Sequence, residues 1–188
     1  MKLFILNIER LPKWYGVSIV LIYGILFAEY TSTIARLLII DESLIIFHAA
    51  FLKINYFVVF LTSIILWLII TFLFHITALL FNGNSSFGRF LRISSYLCII
   101  QTIILSISIF ILDGMQNFSI ENLTQEMLNN PLIQLAKYLM NSSFILCYLI
   151  TAIFIHYIYK IKLVYGILSV VIPVASIWVA SQLFTWLL

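Results

Sequence analysis

Five runs of apolar residues, each long enough to cross a lipid bilayer as a helix, dominate this chain. They fall at about residues 14–35, 54–81, 93–112, 138–159 and 163–188. A hydrocarbon core of ~30 Å takes ~20 apolar residues in helical form. Inside it every backbone N–H and C=O must find a partner within the protein, so such runs fold as helices. Composition points the same way. Of 188 residues, 64% are hydrophobic and 9% are charged, against about 25% charged in soluble domains. Such a chain lacks the polar surface to cover a water-soluble fold. The expected fold class is therefore an all-α membrane protein with five transmembrane helices and a single domain over 1–188. A soluble enzyme, a nucleic-acid-binding domain and a disordered chain are excluded.

The segments between the runs set the topology. Residues 1–13 carry Lys2, Arg10 and Lys13, the second loop Arg89 and Arg92, and the fourth loop Lys160 and Lys162. The opposite side holds Arg36, Lys53 and Lys137, with Asp113, Glu121 and Glu126. The positive-inside rule then puts the N-terminus in the cytoplasm and the C-terminus outside. No small-residue cleavage site follows the first apolar run, so it reads as a retained helix rather than a signal peptide. Residues 36–53, with Asp41-Glu42 in the middle, read as an interfacial or re-entrant connection. In the third loop Ile120, Leu123, Met127 and Leu128 share one helical face, and Asn129-Asn130-Pro131 ends the pattern. That predicts an amphipathic helix on the outer leaflet. Asn117-Phe118-Ser119 and Asn122-Leu123-Thr124 have the form of glycosylation sequons, meaningful only in a eukaryotic host.

Polar residues inside the spans are the first place to look for function. Glu29 lies about 22 Å along the first helix from Trp14, near the outer edge of the hydrocarbon. It shares a face with Ser32, Thr33 and Arg36, and Ser32 or a water is expected to bridge Glu29 to Arg36. His75 and His156 fall toward the cytoplasmic ends of the second and fourth spans, and His48 on the other side. Two histidines with no carboxylate at their depth do not make a metal site, so packed, hydrogen-bonded histidines are expected. In the third span Gln101 pairs in register with Ser108, and Thr102 with Ser106, which suits hydrogen bonds between helices. Cys98 and Cys147 read as small apolar fillers. Ser176 and Ala180 suit a close helix contact, and Pro173 a kink. No H-E-x-x-H, G-x-S-x-G or P-loop pattern is present. The chain is expected to have no catalytic, cofactor or metal residues and not to be an enzyme.

The second loop is the most distinctive stretch. Asn82-Gly83-Asn84-Ser85-Ser86-Phe87-Gly88-Arg89 follows Ala78-Leu79-Leu80-Phe81, and Phe90-Leu91-Arg92-Ile93-Ser94-Ser95-Tyr96 comes next. Gly83 and Gly88 permit a tight turn with positive φ. Ser85 or Ser86 is placed to cap a helix starting near Phe87. Arg89 and Arg92 share a face that can meet anionic lipid phosphates, with Phe87 and Phe90 as headgroup anchors. This stretch resembles the Ypt-interacting-protein (YIP) domain family. The shared pattern is a span, a small glycine-containing loop, Ser-Phe, a basic helix start, and a small-residue-Tyr step into the next span. Leu97-Cys98 stand where that family usually has a proline. The resemblance implies five spans, a cytoplasmic N-terminus and an outside C-terminus. With ~13 residues before the first span, it implies the short bacterial members rather than the trafficking members that bind Rab-type GTPases. Some of those short members are thought to assist ABC-type exporters or envelope-stress responses.

The expected function is a non-enzymatic scaffold or accessory subunit in a bacterial inner membrane, with a eukaryotic endomembrane as the alternative. Its expected partners are the lipid bilayer and a membrane protein or further copies of itself, with no nucleic acid. The competing reading is a small oligomeric transporter or channel that uses Glu29 and His75.

Overall fold

A computed structural model of the chain describes residues 2–37, 45–114 and 129–187. The described residues form seven helices and no strand: α1 (Lys2–Arg10), α2 (Lys13–Arg36), α3 (Ile45–Leu80), α4 (Phe87–Ser95), α5 (Cys98–Asp113), α6 (Pro131–Tyr159) and α7 (Leu163–Leu187). Five segments are long and apolar enough to cross a membrane: Lys13–Arg36, His48–Leu80, Phe87–Asp113, Pro131–Tyr159 and Leu163–Gln182. The chain is a polytopic α-helical membrane protein.

Three boundaries differ from the sequence expectation. Residues 45–53 are not a separate connection: they are helical and continuous with the second span, in α3 from Ile45 to Leu80. Lys53 alone does not break an apolar helix, since its long stem can carry the charge toward water. The expected Asp41-Glu42 turn lies outside the described residues. So do the amphipathic helix over Ile120–Leu128 and both sequons. The fourth span begins at Pro131 rather than Tyr138. Asn130 Oδ1 accepts from Leu132 N at 2.9 Å and from Ile133 N at 3.4 Å. With proline at the first helical position, this is a complete N-terminal cap. The third span is two helices with a tightened step between them. Ser94 and Ser95 donate to Leu91 O (3.0 Å) and Arg92 O (2.7 Å), three residues back. Tyr96 N and Leu97 N then bond to Ile93 O and Ser94 O, also three back. Hydroxyls that compete for carbonyls in this way bend or interrupt a helix.

The helices divide into two compact units: Met1–Val17 with Leu66–Leu97 and Leu146–Leu188, and Ser18–Ile65 with Cys98–Ile145. The first is built around an aromatic and aliphatic core. Ile5 and Ile8 of α1, Phe74 and Ala78 of α3, Phe90 and Ile93 of α4, and Ile155, Ile158 and Tyr159 of α6 are buried in it. α7 adds Val170. Its helix α6 meets α7 at Gly166, where a Cβ would stand 2.6 Å from Ala152 O, so only glycine allows that approach. In the second unit Leu37, Leu112 and Ala136 pack with Tyr30, Ile34 and Ile133. Ser176 and Ala180 are both exposed on α7.

α7 continues as a helix through Pro173. Proline has no N–H, so the carbonyl four residues back, Ser169 O, loses its helical donor. Thr77 Oγ1 of α3 lies 2.7 Å from Ser169 O and replaces that donor. The same hydroxyl is 2.9 Å from Leu73 O and 3.1 Å from Phe74 O. It has one proton to give. The two intrahelical carbonyls already receive N–H groups, whereas Ser169 O has none from its own helix, so the proton goes across. Thr77→Val should therefore cost about 1 kcal/mol in detergent melting, the usual scale of an interhelical hydrogen bond in a membrane. In Pro173→Ala, where Ser169 O regains an N–H, the same change should cost almost nothing. Equal costs in both backgrounds would count against this assignment.

Candidate functional site

The second loop is held by backbone bonds and one large side chain. Asn82, not a glycine, takes the left-handed position, with φ of 60°. Neither Gly83 nor Gly88 has positive φ, contrary to expectation. Asparagine tolerates that region better than other residues with a Cβ. Gly83 is needed for closeness instead: a Cβ there would lie 2.6 Å from Ala78 O and 2.9 Å from the Tyr159 ring. Gly83 N bonds Ala78 O and Asn84 N bonds Tyr159 O, at 3.0 and 3.1 Å. The loop is thus tied to the end of α6. The turn after α6 is equally tight, with Lys160 at φ of 57° and His156 Nδ1 on Ile161 O.

His75 and Tyr159 form the centre of this end of the first unit. His75 Nδ1 and Tyr159 Oη are 2.5 Å apart, and both residues are buried. The Phe87 ring lies 5.3 Å from His75, and the Phe90 ring stands edge-on to Tyr159 at 5.6 Å. Phe90 is fully buried, so it is a core residue and not the headgroup anchor expected of it. Phe87 is half-buried and packs edge-on against Phe72. The reason is the pitch of α4. Phe90, Ile93 and Ser94 share the face turned inward, and Phe87 precedes them on that face by three residues.

Arg89 and Arg92 lie on α4 beside α1. Arg89 Nε donates to Glu9 Oε1 at 2.5 Å. Arg92 Nη2 donates to the Leu11 carbonyl, and its Nε is buried with no partner among the described residues. Ser86 occupies the cap position of α4 with extended backbone but makes no side-chain cap bond. Ser85 Oγ is buried and without a partner among the described residues, so the expected serine cap is absent. Between α1, the start of α2 and the first turn of α4 is an open basin of about 430 Å³, lined by Glu9, Lys13, Gly88, Arg89 and Arg92. The sequence does not point to Glu9, and Lys13 enters there only as a topology-setting charge. The missed signal was the Ile5/Ile8 pair, three residues apart, which gives the first residues an apolar face and so a helix to dock.

The remaining candidates are dispersed. Glu29 and Arg36 pair directly, without a serine or water between them. Seven residues are nearly two full turns, so the two side chains share a face and their lengths close the gap. Ser32 Oγ accepts a second bond from Arg36 at 3.3 Å. His75 is tied to Tyr159 and His156 to Ile161 O. Gln101 is half-buried. Thr102 and Ser106 do not bond between helices; they donate to Cys98 O and Thr102 O of their own helix, at 2.7 and 2.9 Å. Ser108 is fully buried and its hydroxyl has no partner among the described residues. Cys98 and Cys147 are buried, and neither is in a disulfide. No protein-family model, curated protein or solved structure matches the chain.

If the His75–Tyr159 bond holds the loop, Tyr159→Phe should lower stability by about 1–3 kcal/mol, since it strands a buried ring nitrogen. Removing both polar groups, in Tyr159→Phe with His75→Leu, should recover part of that loss. Thermal melting of the purified protein measures both. A Tyr159→Phe protein as stable as wild type would refute the role.

Proposed function

We propose that the chain is a non-enzymatic scaffold or accessory subunit of a membrane complex, of the YIP-like kind its second loop resembles. We place it in a bacterial inner membrane, with the N-terminus cytoplasmic. One observation carries this reading. The polar groups within the spans are largely used up by the fold, whereas the charges of α1, α2 and α4 gather around an open basin. Thr77 serves Ser169, His75 serves Tyr159, and Glu29 serves Arg36. A transporter using Glu29 and His75 needs those groups free to meet a solute, and both are already engaged. At the basin, by contrast, Lys13 stands beside the Glu9–Arg89 pair and Arg92 with no carboxylate of its own among the described residues. A charged rim on an apolar bundle favours recognition of another surface over turnover of a substrate.

The test is native mass spectrometry of the tagged chain drawn from its own membrane in lipid nanodiscs. Wild type should carry a stoichiometric partner that Arg89→Ala loses. Arg89 is the safer change because its side chain and the carboxylate it bonds, Glu9, are both partly exposed. The same monomer or homo-oligomer in both would contradict the scaffold reading. Flux through Glu29→Gln and His75→Leu proteins in liposomes would then test the transporter.

A further inference from the structure

The basin has features that packing does not explain. Its lining carries three cations, Lys13, Arg89 and Arg92, against one carboxylate, Glu9. Glu9 is taken up by Arg89. Among the described residues Arg92 meets a neutral carbonyl, Leu11 O, and no carboxylate, and its Nε is buried and without an acceptor there. No carboxylate among the described residues pairs with Lys13. The basin therefore holds an excess of positive charge.

The backbone adds to it. α2 starts at Lys13 and α4 at Phe87, so two helix N-termini with their positive dipole ends border the same lining, against the single negative end of α1 at Arg10. Ser86 leaves the first turn of α4 without a side-chain cap, and the N–H groups there have no helical acceptor. At Gly88 a Cβ would meet nothing within 4 Å. An anion can thus approach the main chain of that turn directly. Depth in the membrane is marked by the residues after Lys13. Trp14 and Tyr15 stack with ring centroids 4.0 Å apart, and both are exposed. Exposed Trp and Tyr next to a basic residue are the signature of the headgroup level.

We propose that this basin binds the phosphate group of an anionic membrane lipid. Lys13 and Arg92 take the phosphate oxygens together with the first-turn N–H groups of α4. Arg89 is held alongside by Glu9, whose carboxylate weakens the site. The proposal concerns the face on which the scaffold reading rests. It is tested on the purified chain alone, so the two fail separately.

The full chain is placed in phosphatidylcholine nanodiscs with or without phosphatidylglycerol, and retained lipid is read by native mass spectrometry beside the melting temperature. Phosphatidylglycerol should be retained selectively. Lys13→Gln, which removes no bond of the fold, should weaken retention about fivefold, the scale of one cation near a phosphate. Gly88→Leu should fill the open space and reduce retention without lowering the melting temperature. Glu9→Gln should raise retention even if it lowers the melting temperature, an opposition that a purely structural role would not produce. Inorganic phosphate supplies the second arm. If it stabilises wild type in phosphatidylcholine discs but not Lys13→Gln, while phosphatidylglycerol is not retained, the site stands and its ligand comes from solution. Equal retention of both lipids with no response to phosphate overturns the proposal. So does retention unchanged in both Lys13→Gln and Gly88→Leu.

Discussion

Hydrocarbon offers no hydrogen-bond partner, and the internal architecture of this protein follows from that constraint. A proline in a water-exposed helix frees a carbonyl that solvent can satisfy. Pro173 frees Ser169 O inside a span, and Thr77 of α3 is the group that meets it. The same necessity joins His75 to Tyr159 and turns most hydroxyls of the third and fourth spans back onto their own helices, as in Thr102 and Thr151. Each such bond is modest in energy. Each also excludes alternative packings in which a polar group would be stranded.

Those inward bonds explain why chemistry is concentrated at one end of the first unit. The core there is aromatic and closely approached by backbone, with Gly83 against Tyr159 and Gly166 against Ala152. It leaves the loop from Asn82 to Ser86 little freedom and fixes where α4 begins. Because Phe90 and Ile93 are buried in that core, the opposite residues of α4, Arg89 and Arg92, are turned toward α1. There they meet Glu9 and the Leu11 carbonyl. The charged basin is thus a consequence of the core beneath it, through the pitch of one short helix.

The spans were legible because each is a long apolar run, and a run of that length has one outcome in a bilayer. The edges were less legible. Lys53 looked like loop and lies in α3, and Tyr138 looked like a span start although Asn130-Pro131 had already capped the helix. Both errors weighed charge over helix continuity. Arg89 and Arg92 could be picked out from spacing, as could the shared face of Glu29 and Arg36. Phe90 could not, since a phenylalanine beside two arginines reads as an interfacial anchor until the inward face of α4 is known. Tyr159 was hidden for a different reason. Its partners His75 and Gly83 lie far away in sequence, and pairing at that distance leaves no local pattern.

A chain that crosses a bilayer five times must leave the Asn82–Ser86 loop and the Lys160 turn on one side and Asn130 on the other. Cysteine labelling from each side with a membrane-impermeant maleimide tests it directly. The native thiols of Cys98 and Cys147 are buried and should stay silent. Cysteines placed at Ser86 and Lys160, both exposed, should react together from one side, and a cysteine at Asn130 only from the other. Labelling of Ser86→Cys and Asn130→Cys from the same side would contradict the five-span account.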